Sequence, residues 1–387
     1  MPESFTPREF IEKINADNPG SAFDPYGVEG LVIKQQEDSA GADLLAQAKA
    51  EVAKEKAKNT PEGQIADLER QVEAMRQWLI QDGTYSREEA NKIAQRLNVL
   101  YNEETQQAEV LGYFGLYKLQ SAKGLILPSN IYGDLNLESL TSAEGLVLPQ
   151  SIGGELNLRS LTPADGLQLP DSIGSLKLNG LTSAEGLVFP QSISGLNLNG
   201  LTSAEGLELP QSIGNLNLES LTSADGLELP QSIGSLYLES LTSAEGLELP
   251  QRIGNLYLSG LTSAEGLELP QSIGYLYLNS LTSAEGLQLP TSIYYLSLSG
   301  LTSAEGLQLP TSIGGDLYLK RLTSAEGLQL PDSIGRNLNL SGLTSAEGLT
   351  LPTSIGGNLD LRSLTFAERD QLRAQRPDLA YKIEPKI

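Results

Sequence analysis

The sequence predicts a repeat solenoid that is mainly β, with an α-helical N-terminal region and a C-terminal capping helix. Three observations support this fold class. A segment of 20 or 21 residues recurs twelve times between residues 120 and 364, each copy alternates leucine with polar residues, and the segment after the last copy lacks the glycine found in the others. A fixed period of this size is typical of a solenoid, in which each coil buries its apolar side by stacking on its neighbours.

The copy at residues 202–221 shows what each coil contains. Leu216 and Leu218 alternate with Asn217, which is the period of a strand with one buried face. Leu207 and Leu209 offer a second apolar pair to the opposite wall. Stacked copies should therefore form a parallel sheet of short strands over a narrow aliphatic core.

The Thr-Ser-Ala-Glu-Gly segment that opens most copies predicts one helical turn per coil. Thr202 and Glu205 have the spacing of a capping box, in which each side chain accepts a hydrogen bond from the other residue's backbone N–H. Gly206 tolerates the left-handed conformation that ends a helix.

The last occurrence of this segment departs from the pattern. Thr365 and Glu368 keep the capping-box spacing, but Arg369 replaces the glycine. We therefore expect the turn to continue as a helix up to Arg376, before Pro377, and to cover the open end of the core within residues 365–387.

The pattern IxxLxLxxL preceded by LPxSI resembles a leucine-rich repeat, specifically the short bacterial LPxxLxxLxV type, over residues 120–364. The resemblance implies a non-catalytic protein-interaction scaffold. The family usually has Asn or Cys where this chain has Leu140, Leu161, Leu181 and Leu221, so other groups must satisfy the turn backbone; the Thr and Ser that follow are candidates. Some secreted relatives carry a cysteine-dependent ligase domain, and that activity is not carried over because this chain has no cysteine.

The N-terminal third divides into two segments. Residues 1–59 are predicted to be partly helical or flexible. Residues 60–119 are predicted to form a helical hairpin, because apolar side chains recur at helical spacing and a capping box begins at Ser86. The hairpin is interpreted as a cap on the first coil, with the joint at 116–119; the alternative is a coiled-coil module that forms an oligomer through residues 60–100.

Composition and charge restrict the function. The net charge is −23, and the repeats hold 24 acidic but only eight basic side chains, which argues against nucleic acid or an anionic membrane as the partner. The absence of cysteine and histidine excludes disulfides, Cys–His catalytic pairs and the usual zinc sites. We expect neither an enzyme nor a bound cofactor, because repetition distributes chemical groups evenly.

Targeting signals are not apparent in the sequence. Met1–Asp17 lacks the apolar core of a signal peptide, and no run of about 18 apolar residues predicts a transmembrane helix. The expected location is the cytoplasm or, by a leaderless route, the exterior of the cell, and the sequence does not choose between them.

Tyrosines are concentrated at the outward strand positions of the later copies. Seven of the 14 tyrosines lie between residues 237 and 318, with Tyr294 beside Tyr295. Tyrosine favours interaction surfaces because it offers a large contact area and one hydrogen bond. The predicted binding residues are Tyr237, Tyr257, Tyr275, Tyr277, Tyr295, Tyr318, Asn217 and Glu239. The alternative is a ladder of stacked rings that only stabilises the sheet.

Acidic side chains form two further columns, where a column means equivalent positions in successive coils. One includes Glu205 and its equivalents, and the other runs from Glu208 to Glu268. A capping role, calcium bridging between coils and plain solvation all remain open for these side chains. The alternative function is accordingly a structural or surface solenoid, adhesin-like and stabilised by calcium, without a specific ligand.

Overall fold

The computed structural model describes residues 49–384, apart from residues 51 and 55, and shows a mainly-β parallel solenoid of about 14 turns with few helices. The predicted fold class is confirmed. Predictions made for residues 1–48 and 385–387 lie outside the described residues. Within those residues, one compact unit contains the chain up to Val72 together with Val99–Glu109, and the other contains Glu73–Asn98 and the chain from Val110 onward.

Two helices form the N-terminal hairpin, α1 (Pro61–Asp82) and α2 (Arg87–Gln95). The predicted apolar stripe of α1 is present, with Leu68, Met75 and Leu79 all buried. The predicted capping box starts α2: the Ser86 hydroxyl accepts from the Glu89 N–H at 3.2 Å, and the Glu89 carboxylate accepts from the Ser86 N–H at 2.9 Å.

The first unit also contains most of a strand pair that the sequence did not predict. Strands β1 (Asn98–Asn102) and β2 (Gln107–Leu111) pair with each other. The carboxylate of Glu109 accepts hydrogen bonds from the Asn102 amide at 3.1 Å and the Thr105 hydroxyl at 2.9 Å, which ties the turn between the strands to β2.

In the second unit the helical hairpin contacts the first coil. The backbone N–H of Lys118 donates to the Tyr85 hydroxyl at 2.9 Å, and the Lys118 ammonium lies 2.6 Å from the Glu89 carboxylate. Leu116 and Leu119 are fully buried, as expected of a degenerate coil at this joint. Strand β3 (Phe114–Gly115) pairs in parallel with Leu135 and Asn136 of the first repeat, and Val110 of β2 pairs with Ile131, so both strands join the solenoid sheet.

Repeat length decides the form of each strand. The seven central copies have 20 residues, and each forms one strand of six residues, whereas a copy of 21 residues forms two short strands or one irregular strand of seven. The six-residue strands are β7 (Ser172–Lys177), β8 (Ser192–Asn197), β9 (Ser212–Asn217), β10 (Ser232–Tyr237), β11 (Arg252–Tyr257), β12 (Ser272–Tyr277) and β13 (Ser292–Ser297).

The strands of the longer copies lie toward both ends of the solenoid, and three of them on the C-terminal side form a separate three-stranded sheet. The strands of these copies are β4 (Asn130–Ile131), β5 (Leu135–Asn136), β6 (Ser151–Asn157), β14 (Ser312–Ile313), β15 (Leu317–Tyr318), β16 (Ser333–Ile334), β17 (Leu338–Asn339), β18 (Ser354–Ile355) and β19 (Leu359–Asp360). An extra residue interrupts the ladder, and a side chain restores the lost hydrogen bond. For example, the Asp316 carboxylate accepts from the backbone N–H of Asn337 at 2.9 Å.

The core consists of leucine columns in strict register. Leu236, Leu256 and Leu276 are consecutive partners in neighbouring strands, and each is fully buried. The Leu221 column is also fully buried, as its apolar character predicts, and most members of the Ala204 column join the core. Apolar burial of about 1.5–3 kcal/mol for each leucine is the main contribution of a coil to stability.

The turn in each coil differs from the predicted capping box. The N–H of Leu207 donates to the carbonyl of Ala204 at 3.0 Å, and Gly206 has φ +70°, which together indicate a tight turn of four residues that needs glycine at its third position. The predicted capping box between Thr202 and Glu205 is wrong for this copy. The hydroxyl of Ser203 instead accepts the N–H of Glu205 at 3.2 Å, because a serine can satisfy a donor two residues away.

In the turn that follows the strand, the side chain of the last strand residue accepts a backbone N–H. The N–H of Leu221 donates to the carbonyl of Leu218 at 3.0 Å, and the Asn217 side chain accepts the N–H of Glu219 at 2.9 Å. The Thr and Ser that follow Leu221 also satisfy backbone groups, as expected: Ser223 accepts the N–H of Asp225 at 3.1 Å, and the Thr222 hydroxyl donates to the carbonyl of Thr202 at 3.3 Å.

The C-terminal end is covered as predicted. Helix α3 (Phe366–Gln375) begins with a complete capping box between Thr365 and Glu368. A short 3₁₀ helix, Ala380–Lys382, and a strand, β20 (Ile383–Glu384), follow it, and β20 pairs in parallel with β19. The sequence did not predict this last strand.

Candidate functional site

The parallel register aligns four of the predicted tyrosines into one column on the outer face of the sheet and two into a neighbouring column. Tyr237, Tyr257 and Tyr277 are consecutive partners in β10, β11 and β12. Their ring centroids are 4.3 Å and 4.6 Å apart, and the rings are inclined by only 10° in both pairs. The three rings therefore form a stack that follows the strand spacing of the sheet.

A second column continues the stack where the first is interrupted by a serine. Ser297 lies between Tyr277 and Tyr318 in the register, and it is only 4% exposed. The ring of Tyr295 lies 4.8 Å from that of Tyr277 and 5.3 Å from that of Tyr318. The small serine thus leaves space for Tyr295 to bridge the two larger side chains.

Two more tyrosines complete the patch. Tyr275 lies 5.4 Å from Tyr295 and 5.6 Å from Tyr294, measured between ring centroids. Tyr294 is 40% exposed and occupies a column that holds glycine in most of the other copies, so it was not among the predicted binding residues. We refer to these seven residues as the tyrosine cluster: Tyr237, Tyr257, Tyr275, Tyr277, Tyr294, Tyr295 and Tyr318.

Stacking determines what the cluster presents to solvent. Neighbouring rings cover the faces of the central tyrosines, so their edges and hydroxyl groups are the available parts. Burial, together with the neighbouring phenols, raises the pKa of Tyr257 to about 12 and also raises the pKa of Tyr295. Their hydroxyls, like those of other tyrosines, are protonated at neutral pH and can donate hydrogen bonds.

Tyrosine in this column excludes a turn-stabilising hydrogen bond. The side chains of Asn197 and Asn217 accept the N–H two residues later, at 3.1 Å and 2.9 Å. A phenol ring is too long to accept from a donor so close in the chain. Each tyrosine in the column replaces that bond with ring contacts. Turn stability therefore does not account for tyrosine at this position, and stacking or binding remains as its role.

Charged side chains of opposite sign flank the tyrosine cluster. At one end, burial and the nearby Glu219 raise the pKa of Glu239. At the other end, the Lys320 ammonium lies 5.1 Å from the centroid of the Tyr318 ring, and the Tyr294 hydroxyl and the Asp316 carboxylate raise the pKa of Arg336. Among the described residues, Glu239, Lys320 and Arg336 form no salt bridge. Lys320 and Arg336 were not predicted.

The acidic columns lie apart from the cluster and are exposed. Glu205 and Glu208 are both solvent-exposed. Within the described part of the chain, no group of three or more acidic side chains has an arrangement that could hold a metal ion. None of the helices in that part is long and apolar enough to cross a membrane.

Comparisons with protein-family models, with curated proteins and with solved structures found no match to this chain. The resemblance to leucine-rich repeats therefore depends on the repeat pattern alone.

Proposed function

We propose that this protein is a non-catalytic scaffold of the leucine-rich-repeat type that binds a partner protein through the tyrosine cluster. The concentration of seven aromatic side chains within five consecutive, otherwise similar coils carries this proposal. The core columns of these coils are unchanged, and the outward positions vary. This is the expected arrangement of a surface diversified on a constant scaffold.

The chemistry of the cluster supports a docking role. Interfaces between proteins are enriched in tyrosine and arginine at their centres and are surrounded by polar groups. Here the aromatic centre has Glu239 on one side and Lys320 and Arg336 on the other. Tyr294, the most exposed ring of the cluster, provides contact area that no stacking partner fully covers.

A structural solenoid without a specific ligand is the second candidate, and the close stacking of Tyr237, Tyr257 and Tyr277 favours it. Stacked aromatic pairs contribute about 0.5–1.5 kcal/mol beyond their burial. In this alternative the column exists to stabilise the sheet, and loss of a ring would change stability alone.

The substitution Tyr294→Ser separates the two candidates. Because Tyr294 is exposed and lies at the margin of the stack, we expect an unchanged melting temperature and about tenfold weaker capture of a binding partner, through the loss of one aromatic contact to that partner. Val188→Ser, on another wall of the solenoid, is the matched control because Val188 is also exposed. Equal affinity of the two variants would argue against the proposal.

A further inference from the structure

The charges around the tyrosine cluster have a symmetry that suggests its partner. Glu239 and Lys320 occupy the same column, because Glu239 lies two residues after Tyr237 and Lys320 lies two residues after Tyr318. They lie four coils apart, and the coil that contains Tyr275 and Tyr277 is midway between them. The face is therefore acidic at one end, basic at the other and aromatic in the centre.

We propose that the partner of the tyrosine cluster is a second copy of this chain, which docks face to face about a two-fold axis through the coil of Tyr275 and Tyr277. This inference rests on the proposed docking role of the cluster and identifies its occupant. An isologous contact of this kind requires a surface that is complementary to itself.

The required geometry follows from the repeat. A two-fold axis in the interface, parallel to the strands, reverses the order of the coils and keeps each column opposite itself. Glu239 of one copy then faces Lys320 of the other, and the same pair forms a second time by symmetry. Tyr277 faces its own equivalent, and Tyr257 faces the coil of Ser297, where Tyr295 occupies the space beside the small side chain.

The two charged residues are suited to such a contact. Lys320 is exposed and Glu239 is half-buried, and neither is in a salt bridge with another described residue. Burial and the like-charged Glu219 both raise the pKa of the Glu239 carboxyl, and no described residue forms a salt bridge with it. A lysine from a second copy would compensate that charge where the chain itself does not.

The size of the patch limits the affinity. Five coils at about 4.8 Å spacing and five residues at about 3.3 Å rise give about 24 Å by about 17 Å, or about 400 Å² for each copy. Stable complexes bury about 800 Å² on each partner. We therefore expect a reversible dimer with a dissociation constant in the micromolar range. Each copy has a net charge of −23, so the two copies repel each other, and the dimer should form at physiological ionic strength, where a screening length of about 8 Å weakens this repulsion.

Charge reversal tests the pairing. We expect sedimentation velocity to show a concentration-dependent dimer for the unaltered chain, and monomers for Glu239→Lys and for Lys320→Glu measured separately. An equimolar mixture of the two variants should form a dimer again, because Lys at 239 of one variant then faces Glu at 320 of the other. The double variant carrying both substitutions should also dimerise.

Two controls match the changes in charge. Lys177→Glu alters the same face outside the contact, and Glu208→Lys alters an exposed position on another wall; both should leave dimerisation unchanged. A monomer at all concentrations, or a mixture that stays monomeric, would overturn the inference. If the chain is monomeric and Tyr294→Ser still weakens capture of a different protein, the docking role survives and only the identity of the occupant is wrong.

Discussion

Replacing Leu256 by alanine is expected to lower the free energy of unfolding by about 3 kcal/mol, within the range of about 2–5 kcal/mol measured for leucine in well-packed cores. Leu256 lies in the middle of the sheet, is fully buried, and packs between its register partners Leu236 and Leu276. Because both neighbouring coils are held in register, they cannot move inward to fill the cavity without disturbing their own contacts.

Denaturant unfolding followed by circular dichroism measures this loss. Glu248→Ala, an exposed substitution in the same coil, is the control, and we expect it to change the unfolding free energy by no more than about 0.5 kcal/mol. A loss below about 1 kcal/mol for Leu256→Ala would mean that this leucine column is not the continuous core described above.

Replacing Arg369 by leucine is expected to lower the free energy of unfolding by about 3 kcal/mol, because a buried cation here satisfies the backbone of the last coil. Arg369 is 8% exposed, and its Nη1 donates to the carbonyls of Leu364 at 2.8 Å and Arg362 at 3.1 Å, with a longer contact to Leu361 at 3.5 Å. Leucine fills the space but leaves these acceptors without the donor.

The remaining contacts of the C-terminal cap follow the same principle. Arg376 donates to the carbonyls of Leu351, Pro352 and Thr353, and Lys382 donates to those of Ile355 and Gly356. Cationic side chains here satisfy carbonyls at the end of the solenoid, where no further coil is available to supply donors.

Thermal and denaturant unfolding of Arg369→Leu should be compared with those of Arg362→Ala. Arg362 pairs with Asp360 in the last coil, but its side chain is 67% exposed, so its loss should cost less than about 1 kcal/mol. Equal losses of unfolding free energy in the two variants would show that the burial of Arg369 and its contacts with carbonyl groups do not stabilise the protein more than an exposed salt bridge does.

The repeat pattern predicted most of the fold because each coil repeats the same leucine spacing many times. The same reasoning predicted that Arg369, in the position of a glycine, allows α3 to form. It failed at Thr202, because the sequence Thr-Ser-x-Glu contains two hydroxyl groups, and the nearer one, on Ser203, satisfies Glu205. Strand β20 has only two residues and therefore no periodicity from which it could have been predicted.

The tyrosine columns were predictable because register follows directly from repeat length. The structure brings the six predicted tyrosines together with Tyr294 in the tyrosine cluster. The side chain of Asn217 instead stabilises the turn after its strand, and Glu239 lies at one end of the cluster, beside Glu219. Lys320 and Arg336 were not predicted, because each is a single basic residue at a position that varies between copies, and the sequence therefore contains no pattern that indicates a role. Only the stacked arrangement shows that they flank the same aromatic patch.

Photo-crosslinking from position 294 tests most directly whether the outer sheet face is the docking surface. Benzoylphenylalanine would replace Tyr294 in one variant and Val188 in another, since both side chains are exposed and lie on different walls. With the unaltered chain and candidate partners present, we expect crosslinked complexes from position 294 and none from position 188. Crosslinks from position 188 with none from position 294 would contradict a docking role for the tyrosine cluster.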